Sequence, residues 1–183
     1  MAQRMARVSG LLYTPSFLTD DDEHTLLNLI DKQPWSAALK RRVQHYGYSY
    51  NYQARNTSLT QPLPDWLRQL GERVSAAVDG HPRFDQVIIN EYTPGQGIAA
   101  HVDHRELFGP VVVTVSLGSD VVMDFANGGI TVPVLLERRS MTCLTGPARY
   151  TWTHRIAARQ SDMVAGQRRA RFRRVSVTFR TIM

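Results

Sequence analysis

Residues 90–104 of this sequence, NEYTPGQGIAAHVDH, contain its most informative pattern, the spacing His101-Val102-Asp103. If this piece is a strand, side chains two residues apart point to the same face, so an imidazole and a carboxylate converge. The pattern alone is common by chance, and the chain has six histidines. His154, in RYTWTH, completes a set of two histidines and one carboxylate. Such a set holds Fe(II) on one face and leaves positions open for oxygen and a co-substrate.

A segment near the C-terminus supports this interpretation. In residues 174–180, RVSVTFR, Arg174 and Arg180 are six residues apart. An even separation on a strand puts both guanidinium groups on one face. Two guanidinium groups that point into a β core need anions, because an unpaired buried charge is costly. A dicarboxylate co-substrate meets that need at both ends.

Short apolar segments around these residues predict the fold class. Each is typical of a strand, and turn residues separate them at regular spacing. They are residues 86–92, 111–118, 121–125, 130–136, 141–145 and 173–181. This arrangement indicates an all-β sandwich, barrel or jelly roll.

Two amphipathic helices are predicted before these strands. Residues 20–33 place acidic side chains in the first turn ahead of an apolar face, and Pro34 ends the pattern. Residues 64–78 repeat apolar side chains at helical spacing. Between them, residues 41–52, RRVQHYGYSYNY, predict one or two exposed strands with a turn near Gly47. The predicted fold class is mainly β, with N-terminal helices that pack on the β core.

Length and composition limit the remaining possibilities. The 183 residues suit a single domain, in which residues 1–80 supply the helices and a recognition segment and residues 81–183 the β core. With 43% hydrophobic and 21% charged residues, the chain is not disordered. One cysteine, Cys143, excludes an internal disulfide and fits a reducing compartment. No apolar run approaches the roughly 20 residues of a membrane helix. We expect a cytoplasmic monomer.

The net charge of +6 comes almost wholly from arginine, because Lys32 and Lys40 are the only lysines among 22 basic residues. Arginine binds phosphates and carboxylates bidentately, so a polyanionic partner is one explanation. The clusters at residues 138–139 and 168–169 are candidates for phosphate contact. Solubility alone explains the charge equally well.

Four blocks give the chain a family resemblance. They are Asn90-x-Tyr92-x-x-Gly95-x-x-Ile98-x-x-His101-x-Asp103, then Ser116-Leu117-Gly118-Ser119 with Met123-Asp124-Phe125, then Gly146-x-x-Arg149-Tyr150-x-Trp152-x-His154, and last Arg174 to Arg180. In this order, over residues 90–180, they resemble the AlkB family of Fe(II)- and 2-oxoglutarate-dependent dioxygenases. The details SLGSD, VMDF and RYTWTH are most similar to the eukaryotic branch that includes the tRNA wobble-uridine hydroxylase.

The resemblance implies a double-stranded β-helix, or jelly-roll, core supported by two α-helices. It implies Fe(II), 2-oxoglutarate and O2, with iron ligands His101, Asp103 and His154. It assigns 2-oxoglutarate binding to Asn90, Tyr92, Arg174 and Arg180. The repair members usually carry asparagine at the position of Ser176, and the serine hydroxyl lacks the reach of that amide.

The resemblance also implies a nucleic-acid partner, whose target base must leave its stack to reach a buried iron. Residues 41–50, RRVQHYGYSY, resemble the family's nucleotide-recognition segment. We predict phosphate contacts from Arg41 and Arg42, base stacking on Tyr46, Tyr48 and Tyr50, and a contact from Arg105. The competing interpretation is an ordinary hairpin with tyrosines packed on the core and a solvated loop at Arg105.

Three functions are compatible with the resemblance. The favoured hypothesis is oxidative removal of alkyl or etheno adducts from DNA or RNA bases, which releases aldehyde, succinate and CO2. The alternative is hydroxylation of a tRNA wobble uridine, although this sequence offers no second RNA-binding or methyltransferase domain. A protein demethylase or a catalytically dead binding module is disfavoured, because all three iron ligands and both arginines are present and the chain is basic.

Overall fold

The computed structural model describes residues 3–5, 7–37, 40–51 and 56–183, and only the backbone of residues 4, 49–51 and 56–58. Its strands are β1 (Gln3–Arg4), β2 (Leu11–Thr14), β3 (Val43–Tyr46), β4 (Tyr48–Asn51), β5 (Asn56–Leu59), β6 (Gln86–Tyr92), β7 (Ile98–His101), β8 (Val112–Leu117), β9 (Val121–Asn127), β10 (Ile130–Leu136), β11 (Met141–Leu144), β12 (Thr153–Ile156), β13 (Ser161–Val164), β14 (Gln167–Ala170) and β15 (Arg174–Arg180). Its helices are α1 (Asp20–Asp31), α2 (Asp65–Ala76) and α3 (Gly146–Tyr150). None of the helices in these ranges has the length and apolar character that a membrane span requires.

Two antiparallel sheets form the core of the molecule. The larger has seven strands in the order β1-β2-β11-β8-β15-β6-β3, and the smaller has four in the order β10-β9-β12-β7. Apolar side chains of both sheets, such as Leu144 of the larger and Phe125 of the smaller, share one buried cluster. The predicted fold class, a mainly β protein with a jelly-roll core, is confirmed.

Strand β15 separates two environments. Val175, Val177 and Phe179 are fully buried in an apolar cluster with side chains of α1 and α2. The alternate side chains, including Arg174 and Arg180, line a cavity between the sheets. The prediction that both arginines lie on one face of a strand is therefore confirmed.

Helices α1 and α2 pack on the outer face of the larger sheet. A capping box formed by Thr19 and Asp22 begins α1. Their buried apolar side chains are Leu26 and Ile30 in α1 and Leu67, Leu70 and Val74 in α2. Both predicted helices are confirmed, with ends one or two residues shorter than expected. The six predicted strands are also present, and β6 and β10 have the predicted bounds.

Residues 41–52 differ from their prediction. The turn at Gly47 is present, with a φ of 74°, and β3 and β4 flank it. Strand β3 is not exposed, however, because it pairs with β6 and buries Val43, Gln44 and Tyr46. Val43 and Gln44 are adjacent and point to opposite faces, so both faces of this edge strand are at least partly covered. The β core was predicted to begin at residue 81. Strands β1, β2 and β3 precede that residue and belong to the larger sheet, so the β core also includes residues before it.

Candidate active site

A cavity between the two sheets collects the residues that the sequence assigned to metal and co-substrate binding. Its lining includes all seven of them: Asn90, Tyr92, His101, Asp103, His154, Arg174 and Arg180. Apolar side chains such as Ile98, Met123 and Phe125 form part of the remaining wall. The fold thus brings these seven residues together, and their roles stay predictions.

His101 and His154 lie at directly opposite positions of the paired strands β7 and β12, with ring centroids 4.3 Å apart. Nδ1 of His101 lies 2.8 Å from the Ala99 carbonyl oxygen. Because a carbonyl only accepts, Nδ1 donates there and Nε2 keeps its lone pair. Burial is the main cause that lowers the pKa of His154 to about 4, so its imidazole is neutral. Both rings can therefore act as metal ligands.

Asp103 does not lie on the strand, which corrects the geometric reason given for the His-x-Asp spacing. Strand β7 ends at His101, and Asp103 stands in the loop that follows. Its buried carboxylate lies 2.5 Å from Nη2 of Arg180. Burial raises the pKa of Asp103, but nearby positive charge, above all that of Arg180, outweighs burial and lowers it. The carboxylate is therefore ionised, as a metal ligand must be.

Arg174 is a buried cation that has no carboxylate partner among the described residues. It is 3% exposed, and its Nη2 donates to the Ser116 hydroxyl at 2.8 Å. Its Nε has no hydrogen-bond partner in the same set of residues. Burial lowers the pKa of this guanidinium to about 10, which still leaves it charged at neutral pH. The carboxylate of 2-oxoglutarate fits this unpaired charge.

The three candidate ligands do not form a finished metal site as they stand. Among the described residues, no three His, Cys, Asp or Glu side chains have an arrangement that could hold a metal ion. The contact of Asp103 with Arg180 is one that a divalent cation must share or replace. The buried Nδ1 of His154 and Nε of Arg180 also lack partners there. These unsatisfied polar atoms fit a cavity that takes up a metal and an anionic co-substrate.

None of the predicted substrate contacts Arg41, Arg42, Tyr46, Tyr48 and Arg105 lines this cavity. Nε of Arg41 donates to Oδ1 of Asn90 at 2.9 Å, and its guanidinium lies 5.8 Å from the Tyr92 ring centroid. Arg41 is therefore placed against two residues assigned to the co-substrate. The prediction for Arg41 was a phosphate contact, and its bonding partner in the structure is an amide.

Arg42 is bound to protein groups. Its guanidinium donates to both carboxylate oxygens of Glu91, at 2.6 and 2.8 Å, and lies 4.9 Å from the Trp35 ring centroid. In this bidentate pair, the two N–H groups that could bind a phosphate already donate to a buried carboxylate. The structure thus gives Arg42 a structural partner in place of the predicted phosphate.

The prediction that Tyr46 stacks on a base is wrong. Tyr46 is 1% exposed, its hydroxyl donates to Gln44 at 3.0 Å, and its ring meets Trp66 edge-on at 6.3 Å. The register pairs Tyr46 with Val87, whose side chain belongs to the cluster beneath the helices. The sheet therefore turns Tyr46 away from the cavity, as in the competing interpretation.

The remaining predicted contacts have different surroundings. Tyr48 is half-buried in β4, and its carbonyl accepts from Gln86 at 3.2 Å. Arg105 is exposed in the turn two residues after Asp103. The side chain of Tyr50 lies outside the described residues. Arg105 therefore stays accessible to a polyanion, and its role stays a prediction.

Two residues of the site were not assigned from the sequence. Ser116 lies opposite Ser176 in the paired strands β8 and β15, and its hydroxyl accepts from Arg174. Arg149 of α3 is 1% exposed and binds the loop that contains Asp103. Both stand in the blocks that resemble the AlkB family, which was the only sequence signal available for them.

The comparison with protein families agrees with this geometry. The model of the 2OG-Fe(II) oxygenase superfamily matches residues 10–180. The chain is 38% identical over 167 residues to tRNA (carboxymethyluridine(34)-5-O)-methyltransferase ALKBH8 of Macaca fascicularis. The chain belongs to the AlkB family of 2OG-Fe(II) oxygenases. Its place is near the ALKBH8 branch, as the resemblance of SLGSD, VMDF and RYTWTH predicted.

The relatives of this AlkB-family chain differ in length. The match with the macaque protein covers 85% of this chain and 25% of the relative, so the chain spans about a quarter of it. The alkylated DNA repair protein ALKBH8 homolog of Arabidopsis thaliana is 30% identical, over 96% of this chain and 59% of that protein. The solved structure of OsALKBH1 is 16% identical with a TM-score of 0.77, over 99% of this chain and 100% of that one, and supports the fold.

Family membership establishes the reaction class. The chain belongs to a family of oxidoreductases, the 2-oxoglutarate-dependent dioxygenases, which use Fe(II), 2-oxoglutarate and O2. The predicted enzyme class and cofactors are confirmed. The fold places an ionised carboxylate, two imidazoles and a buried unpaired arginine in one cavity, which suits these cofactors.

Proposed function

We propose that this AlkB-family dioxygenase oxidises a carbon attached to a nucleobase in DNA or RNA. The observation that carries the proposal is the meeting of His101, Asp103 and His154 with two buried arginines in one cavity. The names of the relatives ALKBH8 and the alkylated DNA repair homolog supply the substrate class.

The three ligand side chains are each prepared for Fe(II). His101 presents Nε2 because its Nδ1 is bound to a backbone carbonyl, which fixes the ring. His154 is held neutral by burial, and Asp103 supplies the negative charge. When bound, Fe(II) with O2 and 2-oxoglutarate supplies the oxidising chemistry.

The two arginines orient 2-oxoglutarate. Arg174, next to Ser116, binds the carboxylate remote from the metal, and Arg180, next to Asp103, binds the end close to it. Asn90 and Tyr92 line the same cavity and complete the binding site. The apolar wall formed by Ile98, Met123 and Phe125 excludes water from the reaction.

The substrate approaches on the side of His101. His101 is half-buried, whereas Asp103 and His154 are 7% and 8% exposed, so His101 is the most accessible of the three ligands. A base that leaves its stack reaches the iron past this ring. Arg105, exposed beyond Asp103, binds a phosphate of the same strand.

The first candidate substrate is an alkylated base. Oxidation of a carbon attached to a base nitrogen gives an unstable product, which releases aldehyde and the repaired base. The name of the Arabidopsis relative, an alkylated DNA repair protein, favours this reaction.

The second candidate substrate is a wobble uridine side chain in tRNA. Oxidation of a carbon attached to carbon leaves a stable hydroxyl group as a modification. The macaque relative, named for carboxymethyluridine at tRNA position 34, favours this candidate, and its identity of 38% exceeds the 30% of the Arabidopsis protein.

One panel separates the two candidates. The protein is incubated with Fe(II) and 2-oxoglutarate and with alkylated single-stranded DNA, alkylated RNA or an anticodon stem-loop with a modified wobble uridine. Mass spectrometry then measures loss of the alkyl group or gain of one oxygen. We expect one of these products, its loss in His101→Ala, and unchanged turnover in the surface control Arg169→Ala.

The product that forms identifies the substrate. Aldehyde release from alkylated bases supports the first candidate, and gain of oxygen on uridine supports the second. Formation of succinate without a change in any nucleic acid would overturn the proposal that the substrate is a nucleobase.

A further inference from the structure

Arg149 is the largest fully buried side chain among the described residues, and it carries a charge. It lies in the short helix α3 and is 1% exposed. Its guanidinium donates to four backbone carbonyls of one loop: Nε to Gly109 at 3.0 Å, Nη1 to Asp103 at 2.9 Å, and Nη2 to His104 at 2.9 Å and Phe108 at 2.8 Å. Every nitrogen of the group is therefore used on residues 103–109.

This charge is not placed there for an ion pair. Among the described residues, no carboxylate lies within ion-pair distance of Arg149. Burial lowers the pKa of its guanidinium and outweighs the opposing charge of Asp103. A buried arginine bound only to carbonyls is costly unless those carbonyls need a donor that the backbone does not supply. Residues 103–109 belong to no helix or strand, and Arg149 supplies donors to four of their carbonyls; the His104 carbonyl also accepts from the Phe108 amide.

The loop contains two groups of the active site. Asp103 stands at its start, with its carboxylate on Arg180. Phe108 stands near its end, and its buried ring lies 4.5 Å from the guanidinium of the same Arg180. The backbone of Gly109 then donates to Thr181, which follows β15. Arg149 thus binds a segment that connects Asp103, the proposed metal ligand, to the end of β15.

We propose that Arg149 is a positioning residue, which holds residues 103–109 in the form that presents the Asp103 carboxylate to the metal. The inference rests on the proposed role of Asp103 as a ligand. Arg149 touches neither metal nor substrate in this proposal, and it acts through the backbone of the loop. Its donors fix the backbone carbonyls of Asp103 and His104. The Asp103 side chain, two residues after His101, therefore has little freedom.

The test measures Mn(II) affinity, without turnover, in Arg149→Lys and in a matched control. Lysine keeps the charge but cannot donate to four carbonyls in a planar fork. The control is Arg171→Lys, because Arg171 is also a buried arginine that binds Asp162 and the Ala157 carbonyl but lines no part of the cavity. Electron paramagnetic resonance of free Mn(II) gives the dissociation constant, and thermal unfolding gives the stability of each variant.

We expect Arg149→Lys to weaken Mn(II) binding about tenfold, the size of effect seen when a support of a metal ligand is lost. Arg171→Lys should lower the melting temperature and leave the Mn(II) affinity unchanged. Equal Mn(II) affinity in folded Arg149→Lys and wild type would overturn the inference. If the wild-type protein itself binds no Mn(II), or His154→Ala binds it equally well, the proposed metal site fails instead.

A second measurement applies if Arg149→Lys does not fold. Hydrogen exchange of the wild-type protein is recorded with and without Mn(II). The proposal predicts that amides within residues 104–109 are already protected before the metal is added. Fast exchange of these amides that slows only with Mn(II) would overturn it, because the metal and not Arg149 would then order the loop.

Discussion

The Nε atom of Arg41 donates to Oδ1 of Asn90 at 2.9 Å, beside the ring of Tyr92. Both neighbours are proposed to bind 2-oxoglutarate, so Arg41 orients the amide that the co-substrate meets. Arg41→Ala should raise the KM for 2-oxoglutarate about fivefold, the equivalent of roughly 1 kcal/mol for one hydrogen bond. Succinate release at varied 2-oxoglutarate measures this. An unchanged KM together with weaker binding of a labelled oligonucleotide would instead assign Arg41 to phosphate.

Tyr46 is a second single residue whose role can be tested: it either packs in the core or stacks on a substrate base. Its ring is buried against Trp66, and burial raises the pKa of its hydroxyl to about 12. Tyr46→Ala should lower the free energy of unfolding by about 3–5 kcal/mol. Tyr46→Phe, which loses only the bond to Gln44, should lower it by about 1 kcal/mol. Urea denaturation measures both. Wild-type stability of Tyr46→Ala with impaired oligonucleotide binding would restore the stacking role.

At the scale of elements, the position of β7 determines where His101 lies. This strand is four residues long, stands at the edge of the smaller sheet and pairs only with β12 in that sheet. A Cβ at Gly97, just before β7, would lie 2.2 Å from the Ile156 carbonyl oxygen of β12. The absence of a side chain at Gly97 therefore permits the close pairing that brings His101 opposite His154.

Gly97→Ala should displace β7 and weaken Mn(II) binding about tenfold, while the larger sheet stays folded. The control is Gly71→Ala in α2, where an added Cβ would make an ordinary contact of 3.4 Å with Phe179. Titration followed by electron paramagnetic resonance measures both affinities. A Gly97→Ala protein that binds Mn(II) as wild type does would mean that β7 does not set the position of the ligand.

The strands differ in how well the sequence alone predicts them. Strands such as β6 and β10 are long, apolar segments between turns, so a local pattern predicts them. Strand β7 is short, and its burial alternates little, so its pairing with β12 could not be predicted locally. The side to which Tyr46 points depends on register with β6, and the approach of Asp103 depends on a loop held by Arg149. The three candidate ligands and the two arginines of the cavity were found because their chemistry and the family resemblance agree, whereas Asn90 and Tyr92 were found from the resemblance alone.

At the scale of the whole molecule, much of the positive charge is used internally. Eleven arginines form ion pairs with carboxylates within the described residues. The cluster at residues 138–139, a candidate for phosphate contact, pairs with Asp20 and Glu23 of α1. Arg169 of the second cluster lies 3.3 Å from Asp120. A net charge of +6 therefore overstates the surface that is free to bind a polyanion.

Arg105 is exposed two residues after Asp103 and has no carboxylate partner among the described residues. If it binds one phosphate, Arg105→Ala should reduce the slope of log affinity against log salt by about 1. Arg169→Ala, which removes a paired arginine, should leave the slope unchanged. Fluorescence anisotropy of a labelled RNA at several salt concentrations measures it. Equal slopes in Arg105→Ala and wild type would remove Arg105 from the interface.

The central claim is that Fe(II) and 2-oxoglutarate bind together in the cavity between the two sheets. An anaerobic titration of the Fe(II)-loaded protein with 2-oxoglutarate tests it most directly, because chelation of the metal gives a visible charge-transfer absorption band. We expect this band for the wild type and for Arg171→Lys and its loss in His154→Ala. Arg174→Met should need a much higher 2-oxoglutarate concentration to reach the same absorption. A band of wild-type amplitude and affinity in His154→Ala would contradict binding of both groups in this cavity.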